Sequence, residues 1–215
     1  MSRTMFTAML ILTTLCAGHQ APAGDRPMQP AAASGTYAPP LPAQAPPAQS
    51  LRAFEFESLF PMFFSGGYHL CLAYRYEQFR VRVSVINGGS YDAEPAGQPN
   101  AKGDFQRYYK TSPGLFLGYN VWKGLEIYTF LEGHTFSIEQ RSTGLRQDLR
   151  SLDFGGGVSY QFFIGRVLYI QPGAHIYLRE RKTLQFADQT YTIPGMDIAP
   201  VIRIGIRLWE TGGQE

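Results

Sequence analysis

The sequence predicts an all-β fold, an eight-stranded antiparallel up-and-down transmembrane β-barrel. Three observations predict it. Side chains alternate with a period of two over most of the chain after Leu51, and minimal connections alternate with long ones. Aromatic residues gather beside the minimal connections, while charged residues share the opposite face. A period of two is the strand repeat, because successive side chains of an extended chain point to opposite faces. No amphipathic helix interrupts the pattern.

Before the strands comes an export segment. Arg3 supplies a positive start and Phe6 to Gly18 an apolar run shorter than the about 20 residues of a spanning helix. Ala21-Pro22-Ala23 then offers small residues for cleavage near Ala23, so residues 1–23 read as a secretory signal peptide rather than an uncleaved anchor. Acylation at Cys16 is disfavoured by Thr13-Thr14-Leu15 before it. Residues 24–50, rich in Ala, Pro and Gln, cannot bury enough apolar area to offset chain entropy and read as a disordered linker. With Cys16 removed, Cys71 alone can form neither an internal disulfide nor a cysteine zinc site. Net charge is +2, and +1 (2 − 1) without Arg3, which argues against nucleic acid as a partner.

The barrel is expected over residues 51–210, with 211–215 as a short tail. Strands fall at about 53–63, 67–76, 78–87, 111–121, 125–138, 151–162, 167–179 and 197–209. In the first, Phe54, Phe56, Phe60 and Met62 oppose Glu55 and Glu57; in the third, Phe79, Val81, Val83 and Val85 oppose Arg80, Arg82 and Ser84. Connections near residues 77, 122 and 164 are minimal, and those at 88–109, 139–150 and 181–195 are long and polar. Turns at one end and loops at the other is the layout of an up-and-down barrel. Pro172 falls in mid-strand, where it removes a ladder hydrogen bond and marks a bend.

Alternation does not say which face is outside, since a soluble calycin-like barrel around an apolar ligand alternates too. Tyr74, Tyr76, Phe79, Tyr119, Trp122, Tyr160, Phe162 and Trp209 all lie at or beside the short turns, the level of a membrane interface. The polar face carries Glu55, Glu57, Glu126, Glu132 and Asp153 against Arg75, Arg80, Arg82, Arg179, Arg203 and Arg207, with His134 and His175 among them. Its bases are all arginine, whose planar fork suits carboxylate pairing in a narrow lumen. Ala73, Gly155, Gly157, Gly173 and Gly205 on that face fit the limited room inside eight strands. The apolar face is therefore expected outside, against lipid.

On strand count, loop asymmetry, aromatic girdle and charged interior, residues 51–209 resemble the small eight-stranded outer-membrane proteins of Gram-negative bacteria, the OmpA-domain, OmpX and opacity-protein group. The resemblance implies location in the outer membrane, with membrane lipids and lipopolysaccharide around the barrel. It also implies recognition of the last strand by the barrel-assembly machinery, through a terminal aromatic. Here that aromatic is Trp209, and Glu210 to Glu215 follow it, a departure from the group's pattern. An extracellular or envelope protein is the expected partner of the long loops.

No catalytic, cofactor or metal site is expected. His134 and Ser137 are spaced by three, so they point to opposite faces and do not form a nucleophile–base pair. His69, His134 and His175 share the inner face on separate strands, where hydrogen-bonded lumen histidines are the simpler reading than metal ligands. Gly155-Gly156-Gly157 lies within a strand, without the helix a phosphate loop needs. The leading expectation is a structural or surface-interaction barrel plugged by Arg–Glu pairs. The soluble calycin-like carrier, a lipid A-modifying enzyme and a narrow pore are the alternatives.

Overall fold

The computed structural model describes residues 51–93, 95–96 and 103–212; the expected signal peptide, the linker and residues 213–215 of the tail lie outside these. Eight strands form the barrel: β1 Arg52–Leu59, β2 Gly67–Tyr76, β3 Phe79–Gly88, β4 Ser112–Trp122, β5 Leu125–Gln140, β6 Leu145–Tyr160, β7 Leu168–Arg179 and β8 Met196–Thr211. Each pairs antiparallel with its neighbour in sequence. β1 pairs with β8, Phe56 opposite Ile206, and the sheet closes.

The three short connections lie together at one end. Lys123 and Gly124, with φ of 30° and 94°, make a two-residue turn whose left-handed residues match the twist of the flanking strands. Glu77, φ 52°, and Gly165, φ 71°, serve the other two. At the opposite end the walls are unequal. β5 and β6 run 16 residues each, whereas β1 has 8 and β2 has 10. One side of the barrel therefore stands tall and the β1–β2 side is low.

Much of what the sequence suggests as loop is strand in that tall wall. Past Gly88 and Gly89, both at positive φ, the β3 course resumes at Ser90–Ala93 and pairs with Phe105–Tyr109, which leads into β4. The 139–150 interval shrinks to a turn around residues 141–144. Polar side chains misled here because these strand ends alternate without an outward apolar row. The 181–195 connection contains its own hairpin, Thr183–Gln185 with Thr190–Thr192. The first strand is shorter than expected: after Leu59 the chain turns through a 3-10 helix, Phe60–Phe63, which swings Met62 inward to full burial and leaves Phe63 and Phe64 exposed. At the other terminus β8 continues one residue beyond the expected barrel limit, with Thr211 opposite Arg52.

Sidedness is clear from burial. Arg80, Arg82, Glu55, Glu57 and Glu126 are at most 1% exposed, while Leu72, Val83, Leu117, Leu131, Phe154 and Ile176 stand outward. Ile202 and Ile206, at 43% and 37% exposed, face out. The apolar residues do not line a cavity, so the calycin-type arrangement is not the one built.

Two bulges complete the outer face. Strict alternation sends Trp122 and Trp209 inward, with Asn120 and Arg207. The β4–β5 register passes from Asn120–Glu126 to Trp122–Leu125, and that of β1–β8 from Phe54–Trp209 to Glu55–Arg207. Val121 and Leu208 are thus extra residues, and each extra residue reverses the phase of its strand. Both tryptophans end outside. Pro172 occupies another irregularity. The β7 ladder records Gly173 opposite Ser159 and Ile170 opposite Phe162, and the proline falls between them. On the opposite side of this strand, toward β5, Gln161 N–H donates to Gly124 O at 2.9 Å.

Candidate functional site

The inward rows of the eight strands stack side chains in layers, and the expected lumen residues separate into two charged clusters. The lower one lies near the short turns. Arg80 Nη2 stands 2.5 Å from Glu55 Oε2 and 2.9 Å from Glu57 Oε2, and its Nη1 is 3.0 Å from Glu126 Oε2. Arg82 spans Glu126 (2.6 Å) and Glu57 (3.4 Å). Arg207 and Arg75 reach Glu55 at 2.8 and 3.7 Å, and Arg203 lies 3.6 Å from Glu57.

Neutral residues complete this cluster. Tyr169 OH accepts from Arg80 (2.8 Å) and donates to Glu57 (3.0 Å). Gln171 accepts from Arg80 and donates to Glu126 and Ser159, and Arg75 donates to Gln161 at 2.8 Å. Their only mark in the sequence is strand phase, since Gln161, Tyr169 and Gln171 all fall in the inward row. Glycine makes the room. A Cβ at Gly118 would strike the Glu126 carboxylate, and one at Gly205 the ring of Tyr169.

An aromatic layer follows, built from Phe116, Tyr128, Phe130, His175 and Tyr177. The guanidinium of Arg82 lies 4.7 Å from the Tyr128 ring centre and that of Arg203 5.4 Å, so the rings meet the lower cluster through cation–π contacts. His175 Nε2 is 3.0 Å from Arg203 Nη2. The upper charged cluster lies beyond: Arg179 Nε is 2.9 Å from Asp153 Oδ2, His134 Nε2 is 3.4 Å from Glu132 and 3.7 Å from Asp153, and Ser151 donates to Asp153.

Above it is a feature the sequence reading lacked. Ala93, Phe105, Phe136, Ile138 and Leu149 of the tall wall pack with Phe186, Tyr191 and Ile193 of the β7–β8 hairpin region as an apolar cap. Side-chain contacts from the hairpin reach both wall strands, Gln147 Nε2 to Gln185 O and Gln140 Nε2 to Asp188 at 2.6 Å. Residues 181–195 were legible only as polar loop, because three buried residues in 15 leave no period.

The expected interface aromatics, Tyr74, Tyr76, Phe79, Tyr119, Trp122, Tyr160, Phe162 and Trp209, all face outward at the short-turn end. Phe54 joins them, its ring 4.9 Å from Tyr74 and 5.9 Å from Trp209. His134 is buried in the lumen, while Ser137 sits opposite the exposed Asp148, so the two do not meet. The three inner histidines also have separate partners, His69 accepting from Leu59 N–H at 3.2 Å. Among the described residues no group of three or more His, Cys, Asp or Glu could hold a metal ion.

Fold and lumen together define a class: a closed eight-stranded antiparallel barrel, charged within and apolar without. No protein-family model and no curated protein matches the chain. Among solved structures, the crystal structure of Neisserial surface protein A is similar, with 12% identity over 74% of this chain and 94% of that one, at a TM-score of 0.38.

Proposed function

We propose that this chain is an integral outer-membrane β-barrel protein of a Gram-negative bacterium, exported by a signal peptide cleaved near Ala23, non-enzymatic, and structural or surface-interacting in role. The observation that supports it is the inverted distribution of polarity. A surface of Leu, Ile, Val and Phe wrapped around buried Arg–Glu pairs is stable where the surroundings are hydrocarbon. A barrel also leaves no backbone edge around most of its circumference, as lipid requires.

The lumen is plugged: ion pairs, the aromatic layer and the apolar cap succeed one another along it, and an eight-stranded interior is filled by its own side chains. Exchange with the outside then falls to the loop end, where an extracellular or envelope protein is met. Lipids and lipopolysaccharide surround the belt, and the assembly machinery acts during biogenesis.

The deciding experiment is membrane fractionation with heat-modifiability. Detergent-extracted protein should migrate differently before and after boiling, because folded barrels resist detergent. Release by osmotic shock without detergent, and one mobility, would end this reading.

A further inference from the structure

Outward residues of β6 stay apolar from Tyr160 up to Leu152, and the next one is Arg150. Arg150 lies 10 residues above Tyr160 of the aromatic girdle (160 − 150), and about 9–11 tilted residues cross a bilayer, so it stands at the far headgroup level. From there the outer face of the tall wall is polar, and its acids are matched. Asp92 pairs with Arg141, Glu139 with Arg146 at 2.7 Å, and Asp148 with Lys110 at 2.6 Å. Arg150 is the base left over: exposed, with no ion pair among the described residues.

A second cation is held against it. Lys182, also exposed and without an ion pair among the described residues, donates from Nζ to the Arg150 carbonyl at 2.8 Å. Glu180, just past the Arg179–Asp153 cross-strand pair, is an exposed acid that pairs with neither. Two like charges kept side by side against one unengaged carboxylate favour an anion between them. Below the two cations the outer surface is greasy: exposed Leu152 and Phe154 of β6 neighbour Ile176 and Leu178 of β7, Phe154 lying opposite Leu178. Above them, β5 and β6 rise five more residues, from the Thr135–Arg150 pair to Gln140–Leu145 (140 − 135). That is about 16 Å of strand, or about 12 Å of height at a tilt of about 40°. Polar groups cover this stretch, with Arg146 over the Tyr108 ring at 5.0 Å and Tyr108 OH donating to Gln106 at 2.9 Å. The headgroup layer of a phospholipid leaflet is about 5–8 Å deep, too shallow to face such a wall. A headgroup built of sugars is tall enough.

We propose that Arg150 and Lys182 form the phosphate-binding point for a phosphorylated glycolipid of the outer leaflet, of lipid A chemistry. Its phosphate meets the two cations, its acyl chains lie along Leu152, Phe154, Ile176 and Leu178, and its sugars face the polar wall above. The proposal rests on the outer-membrane reading, whose own test is the heat shift of the unmodified protein.

Native mass spectrometry of the detergent-solubilised full chain tests it, with diphosphorylated lipid A, its dephosphorylated form and phosphatidylglycerol as probes. Lipid A should be retained about tenfold more tightly than either of the others. The double variant R150Q/K182Q should lose about tenfold in lipid A retention. Glutamine at 182 still offers a donor to the Arg150 carbonyl, so this variant removes charge and keeps the tie. R146Q removes a base of the same wall that is already paired with Glu139, and should leave retention unchanged. Lipid A retention by R150Q/K182Q equal to that of the unmodified protein, or a loss in R146Q as large as in the double variant, would overturn the site. Phosphatidylglycerol held as tightly as lipid A would overturn the glycolipid and leave only an anionic annulus. Each variant is first checked for its heat shift, and if the double variant does not fold, the lipid preference of the unmodified barrel decides. A normal heat shift without lipid A retention removes this site and leaves the outer-membrane reading standing.

Discussion

Arg80 is the side chain on which the lower lumen depends. Its guanidinium touches Glu55, Glu57, Glu126, Gln171 and Tyr169 at once. Removing ions from water costs several kcal/mol each, and only close pairing offsets it, so loss of one shared partner leaves buried charge behind. Arg80→Ala should therefore destabilise the barrel by about 3–5 kcal/mol, read from urea unfolding in vesicles. Arg80→Lys should recover only part of this, since an ammonium lacks the planar fork that serves separate carboxylates. A near-neutral Arg80→Ala would mean that the carboxylates are not held as ions by this residue.

At the scale of elements, one extra residue decides where a strand ends up facing. Leu208 is the bulge that brings Trp209 beside Phe54 on the outer face. Deleting Leu208 should leave Trp209 outside beside Phe54, because the strand then alternates regularly from inward Arg207. In a Trp122→Phe background, where Trp209 is the remaining tryptophan of two, quenching of its fluorescence by brominated lipid should persist after the deletion, and its loss would show that the register had shifted instead. Alternation shows why this element was only half legible. Trp122 and Trp209 could be placed at the right height by their nearness to turns, but a bulge leaves no mark in composition. Regular alternation identified the strands it runs through, such as β2 and β3, within one residue of their ends. The hairpin at 183–192 was not legible, because its stability comes from Tyr191 and Ile193 packing on Phe105 and Phe136, residues distant in sequence. Ile193→Ala should cost about 2–5 kcal/mol locally, seen as faster proteolysis within 183–192 with the barrel's heat shift retained.

For the whole molecule, the tall wall and its cap form a region apart from the outward apolar belt, with their own chemistry. Burial pushes the Asp104 carboxyl slightly up, but the N–H and hydroxyl of Ser142 and the amide of Gln140 outweigh it and hold the carboxyl below its ordinary value. A carboxylate lowered in the folded state adds stability at pH values above its unfolded pKa, about 3.9 for aspartate, and loses it as pH falls through the folded value. Protease sensitivity of the 103–104 and 141–144 connections should therefore rise below about pH 4, and Asp104→Asn should show the weaker tie already at pH 7. The plan of the barrel was legible in the sequence; the division of its interior was not. Inward phase named Glu55 and Asp153 alike, and only the closed sheet shows that one belongs below the aromatic layer and the other above it.

The pairing of β1 with β8 has a consequence for the order of events in biogenesis. The two strands are joined through Glu55–Arg207 across 152 residues, while every other neighbour in the barrel is adjacent in the chain. Loop closure over such a span comes late, since local hairpins form first. Until it happens, Glu55 and Glu57 lack their β8 partners, and the first and last strands carry bare backbone edges that hydrocarbon does not tolerate. On the proposed outer-membrane reading, closure and entry into the bilayer are a single step, and Glu55 and Glu57 wait for Arg203 and Arg207, which are synthesised after them.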